Sequence, residues 1–317
     1  MEPLNEVTVI WGAELWRSIR SAKAIILLAL YLMFTAMAVA IQVFIFRSIQ
    51  TNINEQLALH GGSMDALQPQ IEEVRHGFLG WLLGGDETLI ESIAQVPLIV
   101  LVTFKITLYF LPIYIAIIGF DQISGEIGPR SIRYLTVRAR RSSILWGKYL
   151  SQATLLAGLV LVVDVALVLV ARWMTPSFQL GVMAGTFLKC WVAATVFSLS
   201  YVALSTLCSS LFRSPAVSLV FNILTLFGLW LVNKIGESAA GFMVQEAALA
   251  QARGEEAPAP SRVATVLSWL QYVSPSHYSD NLLHPHFLKF LGSTAIYAGF
   301  AAAFLACGYA VLRRRDL

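Results

Sequence analysis

Six long apolar stretches constrain this chain more than anything else in it. A helix needs roughly 20 mostly apolar residues to cross a bilayer, and residues 24–46, 97–120, 150–172, 187–208, 216–233 and 288–312 meet or approach that length. Backbone inside lipid must satisfy its own hydrogen bonds, so each stretch is expected to be a helix. The expected fold class is therefore all-α and integral to a membrane, with six transmembrane helices in one domain over residues 1–317. Charged residues make up 13% of the 317 positions, against about 25% in soluble domains. Nothing in the sequence resembles a nucleic-acid reader.

Lys and Arg in the short loops set the orientation. Arg17, Arg20 and Lys23 precede the first span, six basic residues lie between the second and third, Arg213 follows the fourth, and Arg313, Arg314 and Arg315 close the last. The alternate loops hold Glu55, Asp65, Glu72, Glu73, Asp86, Glu87 and Glu91 against Arg47 and Arg75. Both termini are expected on the cytoplasmic side of a plasma (inner) membrane. The start of the chain is too polar for a cleaved signal peptide.

Residues 1–23 are not a span. Leu4, Val7, Trp11, Leu15 and Ile19 recur every three or four positions, the pattern of an amphipathic helix. That helix is expected to lie in the inner interface, or to pack on protein. Two extracytoplasmic insertions are expected at 47–96 and 234–287. The first carries "GFLGWLLGG" and "ETLIESIAQVP", too short to cross, which rest on the bilayer or cap the bundle. The second carries a Pro/Ala/Glu linker, "ARGEEAPAPSR", expected to be mobile. A short amphipathic helix ended by Pro275 is expected to follow it.

The most polar passage is "GFDQISGEIGPRSIRYLTVRARRSSILWGKYL", residues 119–150, with spans on both sides. Pro129 can open a helix, and Ser131 to Ser143 can form one with Ile132, Leu135 and Thr136 on one side and arginines on the others. Such a basic helix suits anionic headgroups or an acidic cleft on a cytosolic protein. Residue chemistry leaves both open.

The same residues resemble the cytoplasmic coupling loop of type 2 permeases of ATP-binding-cassette (ABC) transporters. The likeness falls on Asp121, Ser124, Glu126, Ser131, Ile132, Leu135, Arg141, Ile144, Leu145, Gly147 and Lys148. Arg130–Ser131 stands where Gly-Thr is usual, and Ala139 where Pro is usual. "ELWRSIRSAKAIILLAL" is similar to the family's lead-in helix and first span, and "YVSPSHY" to the segment before its last.

The resemblance implies a permease subunit of an exporter, in a dimer with a second copy or a related chain. It implies a separate ABC ATPase subunit that carries ATP and Mg, touched by the loop at 121–149. Asp121, Ser124, Glu126, Arg130, Ser131, Arg133, Leu135, Arg138, Arg140 and Arg141 are the expected contact residues. This chain itself has no G-x-x-x-x-G-K-[ST] phosphate loop, so no catalytic role and no cofactor of its own is expected. The alternative within the same frame is a scaffold that transmits ATPase motion to an extracytoplasmic partner without moving a substrate. An ion-coupled carrier is the rival outside it.

Lys105 and Asp164 stand deep in apolar runs, where a charge is costly and is a candidate functional group. Both lie about 22 Å from the inner ends of their spans at 1.5 Å per residue. An ion pair between them is expected, fixing helix register or lining a substrate route; separate snorkelling is the other option. Asn222 is expected to bond a neighbouring helix. His277, His284 and His286 are read as interface histidines rather than a metal site, and Cys190, Cys208 and Cys307 as packing residues.

Overall fold

The computed structural model describes residues 3–26, 28–37, 39, 40, 44, 51, 76–80, 87–93, 98–129, 131–174, 180–253 and 261–315. Arg130, most of the first insertion and the centre of the Pro/Ala/Glu linker lie outside them. The described residues form helices and short turns, as apolar sequence in a bilayer requires.

The helices run α1 (Pro3–Ile19), α2 (Ala22–Met37), α3 (Glu87–Ile93), α4 (Leu98–Gly119), α5 (Ser124–Ile127), α6 (Ile132–Arg138) and α7 (Arg141–Met174). They continue with α8 (Leu180–Leu211), α9 (Pro215–Ala252), α10 (Arg262–Trp269) and α11 (Phe287–Arg314). Five of them are long and apolar enough to cross a membrane: α4, α7, α8, α9 and α11. A sixth crossing arises if α1 and α2, which meet at a 60° bend, count as one broken span. Ser21 marks that bend, its hydroxyl accepting the Ala24 N–H at 3.2 Å as an N-cap does.

α8 is the central helix: 61% of its most apolar window is buried, against 11% for α9. Leu111 and Ile115 of α4, Leu156 and Val160 of α7, Ala193 and Val202 of α8 and Tyr297 of α11 are at most 1% exposed. Leu79, Leu89 and Ile90 of the first insertion are buried in the same cluster, so the described part of that insertion caps the bundle.

Three helices clearly outrun the expected spans: α7, α8, which begins at Leu180 rather than 187, and α9. α7 begins at Arg141, so the last residues of the polar passage are its first turns. α9 continues through Lys234 to Ala252, and at 1.5 Å per residue its 38 residues exceed the roughly 30 Å hydrocarbon core. Part of its polar content is bonded within the helix. Lys234 pairs with Glu237 at 2.7 Å and Asn233 donates to Glu237 at 2.6 Å.

The second insertion then folds back. Ser261 caps α10 by accepting from the Ala264 N–H. Pro275 does not end that helix, which stops at Trp269; it opens the second of three 3-10 turns between Leu270 and Leu283. Gly236 lets this return approach α9, since a Cβ there would lie 2.8 Å from Gln271 Cβ.

That return decides the partner of Lys105. Asp280, from the third 3-10 turn, forms an ion pair with Lys105, less than two helical turns from the start of α4. No Lys105–Asp164 pair exists among the described residues, and Asp164 Oδ2 is buried without a hydrogen-bond partner. The expected pairing thus gives way because Lys105 reaches a carboxylate in the cap rather than one across the bundle.

α1 packs on protein along one side. A Cβ on Gly147 of α7 would lie 2.7 Å from Ile10 Cγ2, and Trp11 Nε1 donates to Thr154 at 3.1 Å. Leu4, Val9 and Trp16 stay exposed. Of the two readings of residues 1–23, packing on protein is the one these contacts display.

Candidate functional site

The polar passage folds into two short helices, α5 and α6, slung between the ends of α4 and α7. α4 stops at Gly119, whose missing side chain makes room for Gln152 and Ser205. The turn after it would leave amide donors unsatisfied. Ser209 of α8 supplies the acceptor: its hydroxyl takes the N–H groups of Ile123 (2.9 Å) and Ser124 (3.1 Å) and donates to Phe120 O at 2.9 Å. The Ser124 hydroxyl also donates to Phe120 O, at 2.7 Å.

Lys148, from the second turn of α7, is 1% exposed. Its ammonium donates to Glu14 of α1 at 2.8 Å and to Glu126 of α5 at 2.7 Å. A buried charge is tolerable when paired and hydrogen-bonded in this way. Arg17 adds a longer contact to Glu126, 3.8 Å. Beside this cluster Lys23 bonds Asp121 at 2.8 Å and Ile118 O at 3.1 Å, and lies 4.2 Å from the Phe120 ring centroid.

The far end of the passage is tied with equal care. Ser131 donates to Glu126 O. The Arg140 N–H donates to Glu6 at 3.2 Å, and this bond holds the Glu6 carboxyl below its ordinary pKa. The Arg141 guanidinium donates to Leu312 O and Arg313 O at 2.9 and 2.8 Å, a cation on the carbonyls that end α11. Arg315 donates to Leu211 O at the end of α8. Arg141, Lys148 and Arg315 thus tie together the ends of helices on the side of the bundle where the polar passage lies.

The expected contact residues divide into two groups. Asp121, Ser124, Glu126, Ser131 and Arg141 are spent on internal bonds, and Leu135 is half-buried. Arg133 and Arg138 are exposed and have no carboxylate partner among the described residues. Arg140 keeps an exposed side chain while its backbone is held. Arg130 lies outside the described residues.

Sequence reasoning missed what lies between the arginines. Tyr134 is 81% exposed and Val137 is 86% exposed. On a helix Arg133, Tyr134, Val137 and Arg138 share a face, so α6 presents a basic patch with an apolar centre. The pattern was available: Ile132 and Leu135 turn inward, leaving Tyr134 and Val137 no place but the outside. Ser209 and Glu14 left no such signal, because each acts on a segment more than 80 residues away.

A family model described as "ABC-2 family transporter protein" matches residues 8–317. The chain belongs to the ABC-2 transporter family. It is a multi-pass membrane protein of the ABC-2 permease type, as its order of spans and its polar passage suggested. No curated protein matches it.

His277 stacks edge-on against Tyr272 and Tyr278 at 4.9 and 5.0 Å. His284 contacts Thr88 and Lys289. Among the described residues no three His, Cys, Asp or Glu side chains gather to hold a metal. Asn222 bonds Ser205 across helices at 2.9 Å.

Proposed function

We propose that this chain is the transmembrane permease subunit of an ATP-driven exporter, powered by a separate nucleotide-binding ATPase that seats on the outer face of α6. The observation that carries this reading is the two-faced polar passage. One face is bonded into the permease, and the other offers Arg133, Tyr134, Val137 and Arg138 to solvent. Family membership supports an ATPase partner, which holds the ATP and Mg.

The bonding of the inner face fits a transmission role. Lys148 ties α5 to α1 and α7, Ser209 ties it to α8, and Arg141 ties the start of α7 to α11. A displacement of α6 is therefore delivered to several helices at once. The gathered Lys and Arg residues support a cytoplasmic location for this end, where an ATPase would be. Two permeases, identical or related, are expected to form the route between them.

The double variant Arg133→Glu/Arg138→Glu tests the reading. Both side chains are exposed, so folding should change by no more than about 0.5 kcal/mol. An ABC ATPase subunit that co-purifies with the parent chain should then fail to do so. Undiminished association and undiminished transport-linked ATP hydrolysis would overturn the assignment.

A further inference from the structure

The chain that returns after α10 enters the bundle. The Tyr201 hydroxyl of α8 meets the Ser276 hydroxyl at 2.8 Å, and the Tyr297 hydroxyl of α11 donates to Pro275 O at 2.7 Å. Both tyrosines are at most 3% exposed. Tyr201 stands about 15 Å above Leu211, where α8 ends beside the polar passage, at 1.5 Å per residue. Tyr297 stands about 16 Å above Gly308 on the same count, and Gly308 packs against Leu207 near that end of α8. A hydrocarbon core is roughly 30 Å thick, so Pro275 and Ser276 reach its interior rather than its outer surface.

Backbone that is not α-helical is tolerated at that depth only where protein buries it or where it lines water. Protein buries Ser274 and Pro275. The run that follows, Ser276 to Asn281, is polar at every position and partly exposed at every position. Lipid tails offer such a run no hydrogen bonds, whereas water does.

The surroundings are polar as well. Asp280 pairs with Lys105, which lies about 21 Å above Gly119 at the inner end of α4. His277 is within electrostatic reach of Glu237 and Asp280, and Lys234 within reach of Tyr109 and Asp280. Tyr109 is 61% exposed on α4. Lys234 is itself paired with Glu237, so two cations face two carboxylates and the formal charge balances. We propose that residues 276–281 line a water-filled vestibule between α4, α9 and the returning turns, open to the extracytoplasmic side, and that it admits hydrophilic solutes of either charge. That it forms the outer part of the substrate route rests on the exporter reading above.

Thiol labelling of the full chain in intact cells tests this. Cys307→Ala removes the exposed native thiol, while Cys190 and Cys208 are buried. In that background Ser279→Cys and Asn281→Cys should react with bilayer-impermeant methanethiosulfonates about tenfold or more faster than Leu161→Cys, since a thiol ionises only where it is wetted. Leu161 is 44% exposed among other apolar residues of α7 and lies at a similar depth, about 20 Å above Lys148. Anionic ethylsulfonate and cationic ethyltrimethylammonium reagents should agree within about threefold, because a charge-balanced wall draws in neither sign. Rates no faster than that of Leu161→Cys in both variants, or labelling confined to inverted vesicles, overturn the vestibule. A wider gap between the two reagents overturns its indifference to charge. Labelling needs no ATPase, so it succeeds or fails independently of the exporter reading.

Discussion

Lys148 Nζ lies 2.7 Å from Glu126 Oε1, and that lysine is 1% exposed although it sits at the most polar part of the chain. The pair joins the polar passage to the first turns of α7, and Glu14 brings α1 to the same ammonium. Breaking a buried pair from one side strands a charge, which costs about 3–5 kcal/mol. Lys148→Met should therefore lower thermal stability in detergent sharply. The double variant Lys148→Met/Glu126→Gln should lose less than the two single losses added together, by about 0.5–3 kcal/mol.

Gly147 meets Ile10 so closely that even a methyl group has no room. Gly147→Ala should force α1 away from α7, at about 1–3 kcal/mol. Limited proteolysis should then cut within residues 3–19 faster than in the parent. Ile10→Ala in the same chain should restore only part of the protection, since it removes Ile10 Cγ2 but keeps Cβ, which also lies within 2.8 Å.

Lys105 pairs with Asp280 rather than Asp164, and charge exchange separates the two possibilities. Lys105→Asp alone should impair assembly. Adding Asp280→Lys should recover about 0.5–3 kcal/mol of the loss, read from thermal unfolding or the yield of monodisperse protein. Adding Asp164→Lys should recover nothing.

Glu6 accepts the Arg140 N–H, and its pKa is lowered from 4.5 in the fold. A depressed folded-state pKa contributes stability above the unfolded value and loses it as pH falls through the folded one. Parent and Glu6→Gln should thus differ in stability at pH 7, with the parent ahead. The gap should close as pH drops below the ordinary carboxylate range. A gap that stays constant from pH 7 to pH 3 would show that the carboxylate charge does not matter there.

Much of the fold was legible because a membrane span is recognised by length and apolarity, both properties of the sequence alone. The apolar runs at 97–120 and 288–312 correspond closely to α4 and α11. Boundaries failed where helix and span differ. α7 and α9 run on past the expected spans, and "RSSILWGKY" and "KIGESAAGFMVQEAALAQA" contain no proline to stop them. In the candidate site, position and basic character were readable, but the division of labour was not. Arg133 and Arg141 are the same residue type eight positions apart, and only packing shows that one meets solvent while the other holds α11.

The sequence by itself determined that this is a helical membrane protein with its basic loops at one end, since partitioning into lipid depends on local composition. Only the tertiary structure decided that Lys148 is buried between Glu14 and Glu126, that Lys105 belongs to Asp280, and that Tyr134 and Val137 face outward. The physical reason is that an ion pair or a bonded turn needs two groups within about 3–4 Å. Which groups meet at that distance is set by how the helices pack, not by their spacing along the chain.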